Sequence, residues 1–193
     1  MRARDNPFAV ERLQTIRYRP LNTTFDRILA RLHELNYRAA IIGPEGSGKT
    51  TLLEDLQQML ERKDLHTRLI FVNDTSRLDS PACRRLLAEL TRDQIILLDG
   101  ADLIHRSDWS LLKRHTITHA YGLVITSHRR GLLPTLIECS TTPTLLRAIV
   151  SDLLPRGRPL PAESLDRLYT RHQGNLRACL RELYDLYAQD HHV

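Results

Sequence analysis

Eight consecutive residues carry the strongest chemical signal in this chain: Gly43-Pro44-Glu45-Gly46-Ser47-Gly48-Lys49-Thr50, followed by Thr51. They match GxxxxGK[ST] without a gap. Glycines at these positions let successive backbone N–H groups turn inward on phosphate oxygens, and a helix starting near Lys49 adds the positive end of its dipole. Lys49 is then placed to reach the β and γ oxygens of a nucleoside triphosphate, and Thr50 to ligate Mg²⁺. A second requirement is a carboxylate at the tip of a neighbouring buried strand. Ile95-Ile96-Leu97-Leu98-Asp99 supplies it, with Asp99 expected to hold Mg²⁺ through water. On the strand pattern alone, the alternative is that Asp99 caps the next helix.

The elements that must position these groups are legible as alternating periodicities. Thr23-Thr24-Phe25-Asp26 reads as a capping box, followed by Phe25, Ile28, Leu29, Leu32 and Leu35 at helical spacing. Ala39-Ala40-Ile41-Ile42 is a short apolar run that fits a buried parallel strand delivering the loop at Gly43. A helix through Leu52–Leu60, the strand 69–72, a helix over 83–90, the strand ending at Asp99, a helix over 107–119 and the strand 122–126 continue the pattern. Leu136-Ile137-Glu138 is a weaker fifth strand. Strand–helix alternation predicts an α/β fold: a parallel sheet with helices on both faces, right-handed crossovers and the ligand at the carboxyl ends of the strands.

After Thr142 only helical stripes remain: Leu145 to Leu154, Leu165 to Tyr169, and Leu176 to Tyr187. Pro155-Arg156-Gly157-Arg158-Pro159 and Pro161 must form a connection between the first two. The expected organisation is an extended lead-in over 1–19, an α/β core over 20–142 and a small α-helical lid over 143–193.

Composition narrows the function. Hydrophobic residues at 41% and charged residues at 26% of 193 positions are ordinary for one globular core with a small appendage. No apolar run approaches the roughly 18 residues that span a bilayer, and the N-terminus lacks the apolar stretch of a signal peptide, so no membrane partner and a cytoplasmic location are expected. Cys83, Cys139 and Cys179 are widely spaced and read as packed thiols. The nine histidines, including His191-His192 in the tail, show no ligand spacing. A net charge of +5 favours nucleic acid as a partner through counterion release, although a solvated mixed surface explains it as well.

With these residues in place, the sequence resembles the AAA+ group of P-loop ATPases over most of its length. That resemblance implies ATP and Mg²⁺ as ligands, and a homo-oligomer or protein partner. The choice of ATP over GTP rests on it, since no NKxD-type guanine-reading sequence is present. Asp99 stands where the family has its Walker B Asp, but Gly100 stands where the family has a Glu that polarises the attacking water. This departure opens the question of hydrolysis. Asp99-Gly100-Ala101-Asp102 is similar to the NACHT and STAND signalling ATPases, which implies Asp102 as a substitute base; a turn cap before Leu103-Ile104 is the competing reading.

Three further roles follow from the resemblance. Thr126 or Ser127, ending a strand, matches the sensor 1 position. Arg129 and Arg130 lie where an arginine finger could occur, against the plainer reading of an exposed turn. Gly174-Asn175-Leu176-Arg177 is similar to the sensor 2 motif, in which Arg177 folds onto the γ-phosphate; otherwise Arg177 is a solvated residue partnered by Glu182 or Asp185. The expected function is an ATP-driven switch or assembly ATPase acting on nucleic acid. A signalling ATPase core and a small-molecule kinase gripping phosphate with Arg129 and Arg130 are the alternatives.

Overall fold

A computed structural model describes residues 6–73, 80–154 and 160–189. The expected connection at 155–159 and the histidines at 191–192 lie outside them. The chain divides into two compact units, one made of Arg19–Gly43 and Lys49–Cys139, the other of Met1–Tyr18, Pro44–Gly48 and Ser140–Val193.

The first unit is built on five parallel strands: β1 (Arg38–Ile42), β2 (His66–Phe71), β3 (Gln94–Asp99), β4 (Gly122–Ser127) and β5 (Thr135–Glu138), in the order β2-β3-β4-β1-β5. Its helices are α2 (Phe25–Glu34), α3 (Lys49–Glu61), α4 (Ser80–Ala88) and α5 (Arg106–His119), with a 3-10 turn at Ala101–Leu103. Ala40, Ile42, Ile96, Leu98, Leu123 and Ile125 pack with Cys83, Leu86 and Leu87 of α4 and Leu112 of α5. The alternate strand residues Ala39, Ile41, Ile95, Leu97 and Val124 are equally buried. Since successive side chains on a strand point to opposite faces, both faces of the sheet are covered. The three inner strands are accordingly near-continuous apolar runs, whereas β2 and β5 at the edges are only half-buried.

Helix α2 starts one residue later than the expected capping box. Thr24 is the N-cap, its Oγ1 accepting from the N–H of Arg27 at 3.3 Å. A reciprocal box needs Glu or Gln three residues after the cap, and Arg27 stands there. The three cysteines are buried and form no disulfide among the described residues, as packed thiols should, and burial raises the pKa of Cys179 to about 11. Among the described residues, no helix is long and apolar enough to cross a membrane.

The second unit holds α1 (Val10–Leu13), α6 (Pro143–Leu153), α7 (Ala162–Arg171) and α8 (Leu176–Gln189). Thr142 caps α6 through Oγ1, with Pro143 in its first turn, where a missing N–H costs nothing. The lead-in, expected as an extended segment, contains the helical turn α1 and contributes core residues. Phe8, 1% exposed, joins Leu146, Ile149, Cys179, Leu180 and Leu183 in one apolar cluster and meets Tyr187 edge-on at 5.3 Å. Asn6 Nδ2 donates to the Tyr184 carbonyl at 2.9 Å, and Asn6 Oδ1 accepts from the Phe8 N–H.

Phe8→Ala should therefore lower the stability of the helical unit by about 3–5 kcal/mol, the range for an aromatic removed from a packed core. Hydrogen exchange should show the loss in α6 and α8. Unchanged protection there would mean that Phe8 contributes nothing to the bundle.

Candidate functional site

Sheet order decides which residues meet. Because β4 lies between β1 and β3, its carboxyl end separates the strand that delivers the glycine-rich loop from the strand that ends in Asp99. Leu98 is paired with Ile125, so the next residues, Asp99 and Thr126, sit level at the ends of adjacent strands. Neighbours level in a parallel pair point the same way, and here they touch: Thr126 Oγ1 donates to Asp99 Oδ1 at 2.5 Å. The other carboxylate oxygen, Oδ2, accepts from Thr50 Oγ1 at 2.9 Å. The chain of bonds closes with the Gly100 N–H, which donates to Thr126 Oγ1 at 2.8 Å. Thr50, Asp99 and Thr126 are thereby brought together at one point.

Lys49 opens α3 and is 9% exposed; its ammonium donates to the Gly43 carbonyl at 2.9 Å. Gly43 in turn donates its N–H to the Ser127 carbonyl at 3.3 Å, tying the start of the loop to the end of β4. Glu54, one turn after Thr50, has its pKa raised by desolvation first, then by the charges of Asp99 and Asp55. Part of that shift is repulsion between Glu54 and Asp99, which a bound cation would relieve.

Thr50 Oγ1 and the Asp99 carboxylate are hard oxygen donors, which suits Mg²⁺. No cluster of three or more His, Cys, Asp or Glu side chains that could hold a metal exists among the described residues. Mg²⁺ ordinarily takes few protein ligands and keeps water and phosphate oxygens, so two donors fit that ion and not a caged metal.

Asp102 is drawn to a different place, the turn after β4. Its Oδ1 accepts from Ser127 Oγ at 2.8 Å, and its Oδ2 accepts from the His128 N–H at 2.6 Å and from His128 Nδ1 at 3.1 Å. Of the two arginines that follow, Arg130 pairs with Glu138, whereas Arg129 is exposed with no side-chain partner among the described residues. His128 is the residue that sequence reasoning passed over. Its position directly after the strand was visible, but its pairing with an acid 26 residues earlier was not.

Gly100 explains why a Glu is missing after Asp99. Its φ of 87° and ψ of 37° are left-handed, and they start the 3-10 turn. A Cβ there would lie 2.3 Å from the Val72 carbonyl oxygen. Both conditions demand glycine, so the backbone after the acid is built differently and has no room for a side chain.

In the helical unit, Pro44–Gly48 packs with the start of α8. A Cβ at Gly46, whose φ is 68°, would lie 1.9 Å from Asn175 Oδ1 and 3.2 Å from the backbone N of Arg177. Asn175 Oδ1 caps α8 by accepting from the Ala178 N–H at 3.0 Å. Ser47 Oγ donates to the Pro44 carbonyl at 2.8 Å, and the Tyr18 ring lies over Gly48. Pro44 and Glu45 are exposed, and Thr51 in α3 is half-buried. Glu182, one of two expected partners of Arg177, is occupied by Arg171 at 2.5 Å and His172 at 2.6 Å. Arg177 is exposed and makes no ion pair among the described residues.

A glycine-rich loop after β1, a hydroxyl at the start of α3 and an acid ending β3 are the parts of a P-loop α/β fold. The solved structures it matches include the RuvB Holliday junction branch migration motor of Thermotoga maritima, at 17% identity and a TM-score of 0.56, covering 82% of this chain and 58% of that one. Two single-substitution variants of Thermotoga maritima RuvB match with TM-scores of 0.58 and 0.57, at 16% and 17% identity, over 83% and 82% of this chain. They are covered over 61% and 58% of their own length, so the chain spans about three-fifths of these neighbours. No protein-family model and no curated protein matches the chain.

Replacing Gly100 by Glu should not create a faster ATPase, although it writes the usual Walker B pair. Left-handed strain alone costs a non-glycine residue about 1–3 kcal/mol, and the contact with Val72 adds to it. The expected result is a lower melting temperature with no gain in phosphate release; a stable, faster variant would contradict this geometry.

Proposed function

We propose that this chain binds ATP with Mg²⁺ and hydrolyses it slowly, using the cycle as a conformational or assembly switch. The reading rests on one observation: Thr50, Asp99 and Thr126 form a single hydrogen-bonded group beside Lys49, at the carboxyl ends of β1, β3 and β4. Lys49 exchanges the Gly43 carbonyl for phosphate oxygens, and the amides of Gly46–Thr50 supply the remaining donors. Mg²⁺, when bound, offsets the negative charge of the phosphate oxygens. Asp99 and Thr50 orient its water shell, and Thr126 fixes the Asp99 carboxylate from the far side. Arg177, at a helix start that abuts Gly46 and with no ion pair among the described residues, is the candidate for reading the presence of nucleotide.

Nucleic acid is the partner class this reading favours. The net charge of +5 and the likeness to a motor named for Holliday junction branch migration both point that way, as does a count of 28 Lys and Arg. The small-molecule kinase reading loses one of its two phosphate-gripping arginines, since Arg130 is engaged by Glu138. A signalling core keeps the Asp99-to-Asp102 pattern in common with this reading and differs in partner alone.

Binding and salt dependence test these statements separately. Lys49→Ala should abolish saturable uptake of Mg·ATP, and Asp99→Asn should weaken uptake mainly in the presence of magnesium. If the folded wild-type chain takes up no Mg·ATP, the proposal fails. For DNA, affinity should fall steeply between 50 and 200 mM salt if several phosphates are contacted, by roughly 10³-fold or more for six contacts. A flat response would remove nucleic acid as the partner.

A further inference from the structure

We propose that His128, oriented by Asp102, is the group that activates the attacking water, in place of the glutamate that Gly100 excludes. This deepens the ATP-hydrolysis reading above and rests on it. Asp102 is ill-suited to the task itself, because its two oxygens already accept three hydrogen bonds from residues 127 and 128. What those bonds achieve is to hold an imidazole. An ionised carboxylate only accepts, so the contact between Asp102 Oδ2 and His128 Nδ1 at 3.1 Å places the ring proton on Nδ1 and leaves the lone pair on Nε2. Nε2 has no hydrogen-bond partner among the described residues, and the side chain is 53% exposed, so water reaches it.

The position is right as well as the tautomer. His128 directly follows Ser127, whose carbonyl accepts from the first amide of the phosphate loop. Two residues before it, Thr126 holds Asp99. At most about 7 Å of extended chain separates the group that fixes the magnesium-binding carboxylate from the free imidazole nitrogen's residue. Asp102 grips the backbone N–H of His128 as well as its ring, so the imidazole is anchored at two points and not on a mobile tether.

In the reaction, Nε2 takes a proton from water as the water oxygen bonds to the γ-phosphorus. The bond from that phosphorus to the bridging oxygen breaks, and ADP leaves with the electron pair. Asp102 stabilises the imidazolium through Nδ1–H until the proton passes to solvent, leaving inorganic phosphate and ADP. Asp102 is thus a positioning residue, and His128 the proton acceptor.

Three readouts on the intact chain test this. First, ¹⁵N long-range spectra of the wild-type protein should show His128 protonated on Nδ1 and bare on Nε2, and Asp102→Asn should redistribute the tautomers. Second, His128→Ala should bind Mg·ATP within about twofold of wild type yet lose turnover by roughly 10²–10⁴-fold, the range for a general base; Asp102→Asn should lose turnover with affinity likewise kept. Third, imidazole added to His128→Gly should restore part of the lost turnover. Wild-type turnover in His128→Ala, or an Nε2–H tautomer in the wild type, overturns the assignment. Saturable Mg·ATP binding by the wild type with no hydrolysis at all also overturns it while leaving nucleotide binding intact, whereas absent binding sinks both.

Discussion

A single carboxylate organises the carboxyl end of the sheet. Asp99 accepts one hydroxyl on each oxygen, from Thr50 at the start of α3 and from Thr126 at the end of β4. Charge-assisted hydrogen bonds of this kind are shorter and stronger than neutral ones. They lock three separate elements, β3, β4 and α3, into one register. The burial of the strands behind it supplies rigidity: every residue of β4 is buried, as are Ile95–Leu98 in β3. The site therefore rests on a close-packed wall, which lets small changes at the strand ends be felt across the unit.

The turn following that acid departs from the pattern the resemblance implies. In place of an extended residue bearing a glutamate, Gly100 bends the chain into a 3-10 turn and delivers Asp102 to the end of β4, the next strand in sequence. One substitution and one change of backbone direction belong together, because a left-handed residue facing the Val72 carbonyl admits no side chain. The second acid stands two positions beyond the expected one, and a histidine on β4's exit pairs with it.

Much of this was legible in the residues. The loop at 43–50 declares itself through composition alone, and Asp99 through an apolar run ending in an acid, because parallel strands buried on both faces leave no polar alternation to confuse the reading. Five strands and the three C-terminal helices follow from periodicity. What periodicity does not carry is pairing across distance. Asp102 with His128, Thr126 with Asp99, and Gly46 with Asn175 are meetings of residues far apart in the chain, set by strand order and loop path. The lead-in escaped for another reason: Phe8, Leu13 and Ile16 show no regular spacing, so nothing in them announces a helical turn or a core contact. Arg177 was expected to fold onto the γ-phosphate, with a pairing to Glu182 or Asp185 as the alternative; Arg171 and His172 reach Glu182 from the end of α7.

The seating of Phe8 and Asn6 among the last helices constrains how the molecule is made. Asn6 bonds to Tyr184, 178 residues away, so the segment around Asn6 has no finished surface to rest on until α8 has been made. Contacts of such sequence separation close late and slow the rate at which a fold completes. During synthesis the sheet unit can assemble from residues 19–139 while the bundle stays open at both ends. A disruption at Asn6 and a disruption within α8 would accordingly strike the same structural unit, although the two lie far apart in sequence.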